Sequence, residues 1–134
     1  MSLPSPLTRF VGREAELAEA GALLAETRLL TLTGPGGAGK TRIAIRLAPE
    51  LAGSFPDGFW FVDLAALTGG QLVWDQIAAT LRVEESGSSS LIEAVGRFLS
   101  SRKTLVVLDN CEHVVESAAE AAAQLLAAAP ALKI

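Results

Sequence analysis

A chain of 134 residues, half of them apolar, is of single-domain size and can bury a core. Its net charge of −4, with no cluster of Lys or Arg along a helix face, leaves no electrostatic footprint for direct contact with nucleic acid or an anionic membrane. Cys111 is the single cysteine and His113 the single histidine, which excludes an intrachain disulfide and a Cys/His zinc cluster and suits a reducing cytoplasm.

Residues 1–8 read as an unstructured lead or expression scar, with neither the positive nor the apolar region of a signal peptide. Leu17 and Leu24, with small Ala and Gly residues between them, predict a helix over Glu14 to Glu26. A strand follows at about Arg28 to Thr33. Next comes Gly34-Pro35-Gly36-Gly37-Ala38-Gly39-Lys40-Thr41, which satisfies the phosphate-binding pattern G-x-x-x-x-G-K-[ST], and Ile43, Leu47 and Leu51 then recur at helical spacing. Strand, glycine loop and helix together make a nucleoside triphosphate site. The glycines permit positive φ and let consecutive backbone N–H groups approach phosphate oxygens, while the helix adds the positive end of its dipole. In this pattern Lys40 brings a mobile charge to the β and γ phosphates, and Thr41 brings a hydroxyl ligand for Mg²⁺. Arg42 either reaches phosphate as well or is a solvated charge of the first helical turn.

That helix ends at about Ala48 or Leu51, its limit blurred by Pro49. Phe59 to Leu64 form a second strand, whose Phe59, Trp60 and Phe61 suit sheet packing better than base stacking. Val73, Ile77 and Leu81 share one helical face, on which Trp74 makes a helix-to-sheet contact, and a polar loop runs from Val83 to Ser89. Ser90-Leu91-Ile92-Glu93 fits a capping box that opens a helix through Val95, Phe98 and Leu99. Thr104 to Leu108 is a continuous apolar run, as in a parallel strand covered on both faces, and it emerges at Asp109. An Asp there, about 70 residues after a phosphate loop, is placed to hold Mg²⁺ through water opposite Thr41. Its neighbour Asn110 is an amide and cannot act as a base. Glu112 is therefore the nearest carboxylate for activating a water, or else a favourable acid in the first turn of the next helix. Cys111 and His113, two positions apart, do not make a nucleophile and base. The Ala-rich segment from about Val114 to Ala129 is a helix stopped by Pro130, too interrupted by Glu116, Glu120 and Gln124 to span a membrane, and Leu132 to Ile134 begin a fourth strand.

Strands alternating with helices indicate an open parallel α/β sheet with its ligand at the carboxyl ends of the strands. Three motifs in order resemble the NB-ARC-like ATPase domain of STAND-class P-loop NTPases, as in large LuxR- and SARP-type bacterial transcriptional regulators. They are Phe10 to Glu14, the loop from Thr33 to Thr41, and Leu108 to His113. The resemblance covers about Leu7 to Ile134. It implies a three-layer P-loop NTPase with an open parallel sheet of ASCE-type order, truncated at the fourth strand, so that residues 9–134 are the N-terminal part of an incomplete domain. It also implies that Val11, Gly12 and Arg13 line the adenine and ribose pocket. The family pattern continues past Leu132 with a Thr-Ser-Arg element that senses the γ phosphate and with helical and winged-helix parts that close over the nucleotide.

The function expected is an ATP- or ADP-binding, Mg²⁺-dependent signalling module of a cytoplasmic regulator, a nucleotide switch with slow or no hydrolysis in isolation. Lys40, Asp109 and Glu112 would carry whatever catalysis occurs. The rivals are a phosphoryl-transfer kinase and a nonhydrolysing, nucleotide-bound interaction domain. The partners expected are the other domains of the longer protein. In the ASCE-type order the fourth strand lies between the first and the third, so three residues in that slot would leave strand edges unpaired and favour self-association.

Overall fold

The computed structural model describes residues 14–31, 40–65, 67, 72–85, 87 and 90–134. Residues 1–8, Val11 to Arg13 and Gly34 to Gly39 lie outside them, as do the last two residues of the expected first strand. Two short runs rich in branched and aromatic residues, β1 (Phe59–Asp63) and β2 (Leu105–Asp109), pair in parallel with Phe59 opposite Leu105 and Asp63 opposite Asp109. The start of the pair is secured by Asp57, whose carboxylate accepts the Lys103 N–H at 2.7 Å, and by Gly58, which takes φ +97, a conformation that favours glycine. The ladder continues one step past β1, where the Leu64 N–H donates to the Asp109 carbonyl at 2.9 Å.

Among the described residues, five α-helices accompany this pair: α1 (Glu14–Glu26), α2 (Lys40–Glu50), α3 (Val73–Leu81), α4 (Leu91–Ser100) and α5 (Val115–Ala128). Side chains alternate across a strand, so each strand divides its residues between two clusters. Phe59 and Leu105 pack with Leu17, Leu24, Ile43 and Leu47 from α1 and α2. Val62 and Val106 pack with Ile77, Val95, Leu99 and Leu125 from α3, α4 and α5. Full burial of Ile77, Leu99, Leu125 and Leu132 contributes about 1.5–3 kcal/mol each. Trp60 packs edge-on to Phe98, with ring centroids 6.4 Å apart, and Trp74 rests against the same cluster, as the sequence suggests. Gly96 lets α4 approach α5 closely, since a Cβ there would come within 3.4 Å of the Ala128 Cβ.

Local signals set most element limits. The Ser90 hydroxyl accepts the Glu93 N–H at 3.2 Å, which is the N-cap half of the expected capping box. Helix α2 runs through Pro49 to Glu50. Two expectations are corrected. Among the described residues, only β1 and β2 are strands of a sheet, and Leu132 to Ile134 contribute a single parallel bridge, Lys133 to Leu105. Glu112 lies in a turn ahead of α5, whose first-turn acid is Glu116. Asn110, in the left-handed conformation at φ +60, breaks the chain direction there, and the helix begins only after Val114.

The segment at 132–134 is hydrogen-bonded on both sides. Lys133 exchanges bonds with Thr104 and Val106 (3.0 and 2.9 Å), and Ile134 with Arg28 and Leu30 (2.9 and 3.0 Å). Two cations fasten the same region. The Arg28 guanidinium donates to the carbonyls of Leu126 and Ala129 at the end of α5 and of Leu132 beyond it, and the Lys133 ammonium donates to those of Leu24 and Ala25 at the end of α1. Carbonyls at a helix C-terminus have no partner within the helix and carry partial negative charge, so each cation satisfies both needs. Replacing Arg28 by Ala is expected to lower stability by about 1–3 kcal/mol, the cost of several charge-assisted bonds. Urea denaturation of the two proteins measures it through the shift in midpoint at constant slope.

Candidate functional site

The parallel register brings the carboxyl ends of β1 and β2 to one end of the sheet, and the start of α2 meets them there. Thr41, the second residue of α2, donates its hydroxyl hydrogen to the Asp109 carboxylate, with Oγ1 at 3.2 Å from Oδ1 and 3.0 Å from Oδ2. These residues are 68 apart in sequence and both are half-buried. Each was singled out for the same ion on sequence grounds, and the fold places their oxygens in direct contact. Lys40, which follows the glycine run in sequence, opens α2. Arg42 is exposed on α2, and Glu112 and His113 are exposed in the turn after β2.

The chemistry of the donors decides what ion they suit. A hydroxyl and a carboxylate are hard oxygen ligands, and Mg²⁺ is typically held by one or two such groups while keeping several waters. Among the described residues, no three of His, Cys, Asp and Glu gather as they would for a metal caged by protein ligands. Thr41 and Asp109 are oxygen donors of that kind.

Two further residues belong to this cluster, and the sequence reading assigned neither of them a place in it. Asp63 ends β1, and its Oδ1 accepts the Ala65 N–H at 2.9 Å. The Asn110 side-chain amide donates to that same oxygen at 2.8 Å and to Asp109 Oδ2 at 3.2 Å. A signal for Asp63 was present: Phe59 to Asp63 repeats the apolar-run-then-Asp pattern of Leu105 to Asp109, and in-register parallel pairing places the two acids side by side.

Cys111 follows directly and is half-buried, with its thiol donating to the Leu108 carbonyl at 3.3 Å. Burial pushes its pKa up, and the nearby carboxylates of Glu112 and Asp109 push in the same direction, so the thiol stays protonated at neutral pH. Raised above its unfolded value, this group favours folding least at high pH: stability falls as the pH passes the ordinary thiol range, where only the unfolded chain has lost the proton. The thiolate is the nucleophile, so alkylation of the native chain by iodoacetamide at pH 7.5 is expected to be well slower than that of the urea-unfolded chain. Mass spectrometry over time compares the two.

No helix among the described residues is long and apolar enough to cross a membrane. The chain is similar to several bacterial proteins. It is 42% identical over 113 residues to a proposed HTH-type transcriptional regulator of Mycobacterium tuberculosis, an overlap of 84% of this chain and 13% of the relative. It is 38% identical over 128 residues to an uncharacterized protein of the same organism, covering 96% of this chain and 33% of that protein. With the regulatory protein AfsR of Streptomyces coelicolor it shares 30% identity over 132 residues, covering 85% and 13%. The chain thus spans between 13% and 33% of the length of these relatives. A family model described as AAA domain, AAA_22, matches residues 24–131, so that the glycine loop, Thr41 and Asp109 all fall within it. This chain belongs to the AAA_22 family of AAA domains.

Proposed function

We propose that this chain is the ATP- or ADP-binding module of a longer cytoplasmic transcriptional regulator, a Mg²⁺-dependent nucleotide switch of the NB-ARC-like STAND type. The observation that carries the proposal is the contact of Thr41 Oγ1 with the Asp109 carboxylate at 3.0 Å, at the start of the helix that follows the glycine loop. Family membership supports the nucleotide, and the similarity to regulators of Mycobacterium and Streptomyces supports the setting. The proposed architecture is the N-terminal part, residues 9–134, of a three-layer sheet of ASCE-type order. The hydrogen bonds of Lys133 and Ile134 to Thr104–Val106 on one side and Arg28–Leu30 on the other favour that order, as do the apolar clusters on opposite faces of β1 and β2.

In this reading the backbone N–H groups of Gly34 to Lys40 cradle the phosphates, with Pro35 and Ala38 shaping the loop, and the Lys40 ammonium neutralises their charge. Thr41 and Asp109 hold Mg²⁺, which when bound supplies positive charge to the phosphate oxygens. Val11, Gly12 and Arg13 line the base and ribose, and Arg42 lies at the phosphate end. Lys40→Ala is expected to weaken binding of a fluorescent ADP analogue about ten- to a hundredfold, from loss of a charge-assisted contact worth roughly 1.5–3 kcal/mol. Asp109→Ala is expected to remove the gain in affinity that Mg²⁺ brings and to spare binding in EDTA. Equal affinities for wild type and Lys40→Ala would take Lys40 out of the site.

Hydrolysis by the chain alone is expected to stay close to background. Phosphoryl transfer needs a group that orients or deprotonates the attacking water, and the residue next to Asp109 is an amide tied to two carboxylates. Phosphate release with and without a second substrate tests this and separates the switch from a kinase. A turnover near 10 s⁻¹, about the median for enzymes, that disappears in Glu112→Gln would make Glu112 the base instead.

A further inference from the structure

We propose that Asn110 and Asp63 are a positioning pair that sets the rotation of the Asp109 carboxylate toward Thr41; this rests on the reading that Thr41 and Asp109 hold Mg²⁺ beside a nucleotide. The argument begins with the register. Asp63 and Asp109 are Cα partners at the last rung of a parallel ladder, where neighbouring strands lie about 4.8 Å apart and registered side chains share a face. Two carboxylates so placed repel, and each rotates freely unless something holds it. Asn110 provides the hold. Its backbone is in the left-handed region at φ +60, which Asn tolerates better than other residues bearing a Cβ.

From there the amide nitrogen lies 2.8 Å from Asp63 Oδ1 and 3.2 Å from Asp109 Oδ2. A primary amide has two hydrogens, one for each acid. Turning it over would set its oxygen against two anions, so the acceptors themselves fix its orientation. The anchor end is held, because Asp63 Oδ1 also accepts the Ala65 N–H at 2.9 Å and the Leu64 N–H donates to the Asp109 carbonyl. The oxygen that takes the amide hydrogen, Asp109 Oδ2, is the one nearer to Thr41, so the amide determines how the carboxylate faces its partner. A carboxylate at position 110 would put three acids together with no donor between them. The amide there is thus suited to holding an ion ligand rather than to activating water.

The test compares wild type with Asn110→Gly, Asp63→Asn and Asp63→Ala, measuring affinity for a fluorescent ADP analogue in Mg²⁺ and in EDTA together with thermal melting. Glycine adopts φ +60 without penalty, so Asn110→Gly is expected to keep or raise the melting temperature and to bind as wild type in EDTA. Its gain in affinity on adding Mg²⁺ is expected to fall about ten- to a hundredfold, the worth of one lost hydrogen bond to a charged group. Asp63→Asn keeps an acceptor for Asn110 and is expected to retain the gain, whereas Asp63→Ala loses it. A wild-type gain in Asn110→Gly or in Asp63→Ala overturns the pair. So does a loss in Asp63→Asn equal to that in Asp63→Ala, which would mean that Asp63 acts by charge, or a lowered melting temperature in Asn110→Gly, which would place the role of the amide in the fold. A wild-type chain with no gain from Mg²⁺ removes the ion reading and the pair with it, whereas failure confined to the variants leaves the ion reading standing.

Discussion

The in-register parallel pairing of β1 and β2 is the constraint on which the site depends. Parallel strands carry both chain directions the same way, so Asp63 and Asp109 reach the same end of the sheet together. The alternation of side chains along the same two strands divides the core, with Phe59 and Leu105 going to one cluster and Val62 and Val106 to the other. A register slip of one residue would exchange those faces and separate the acids, so core packing and site geometry enforce one another.

That arrangement is anchored by side chains that satisfy backbone groups. At the start, the Asp57 carboxylate takes the Lys103 N–H, and Gly58 supplies a conformation that favours glycine. Elsewhere Arg28 and Lys133 occupy the carbonyl ends of α5 and α1, each cation coming from beyond the other helix. The exchange joins the segment after α1 to the segment after α5, and the same two segments meet through the backbone bonds of Ile134 to Arg28 and Leu30. Buried Thr104 and the Trp60 indole, whose polar side-chain atoms have no hydrogen-bond partner among the described residues, are the costs that this packing carries.

The site itself is a problem in placing negative charge. Two carboxylates converge there, and among the described residues the donors that reach them are neutral: the Thr41 hydroxyl, the Asn110 amide and backbone N–H groups. Neutral donors orient carboxylates without cancelling their charge, which leaves them able to attract a dication. Burial, with the nearby carboxylates of Glu112 and Asp109 adding to it, keeps Cys111 protonated and chemically quiet, although it stands two residues from Asp109.

Features that depend on neighbours in sequence were legible from the chain alone. The helix after the glycine loop, the Ser90 cap, the apolar runs of β1 and β2 and the emergence of Asp109 all rest on local spacing, and the structure has each of them. The family resemblance rested on short motifs of the same kind, and the coarser AAA assignment agrees with it. Tertiary structure decided the rest. Of the two sequence readings of Glu112, the first-turn acid of the next helix is excluded, because the left-handed turn at Asn110 leaves Glu112 ahead of α5, whose first-turn acid is Glu116. Gly96 looks like an incidental glycine until α5 is seen to pass against it. Arg28 and Lys133 read from sequence only as residues of expected strands, because the carbonyls they serve belong to helices about a hundred residues away. Asp63 reads from sequence only as a residue of the second strand until register sets it opposite Asp109. Local periodicity and motif spacing specify elements and the groups they present; which groups meet is set by long-range pairing, whose partners no window of sequence contains.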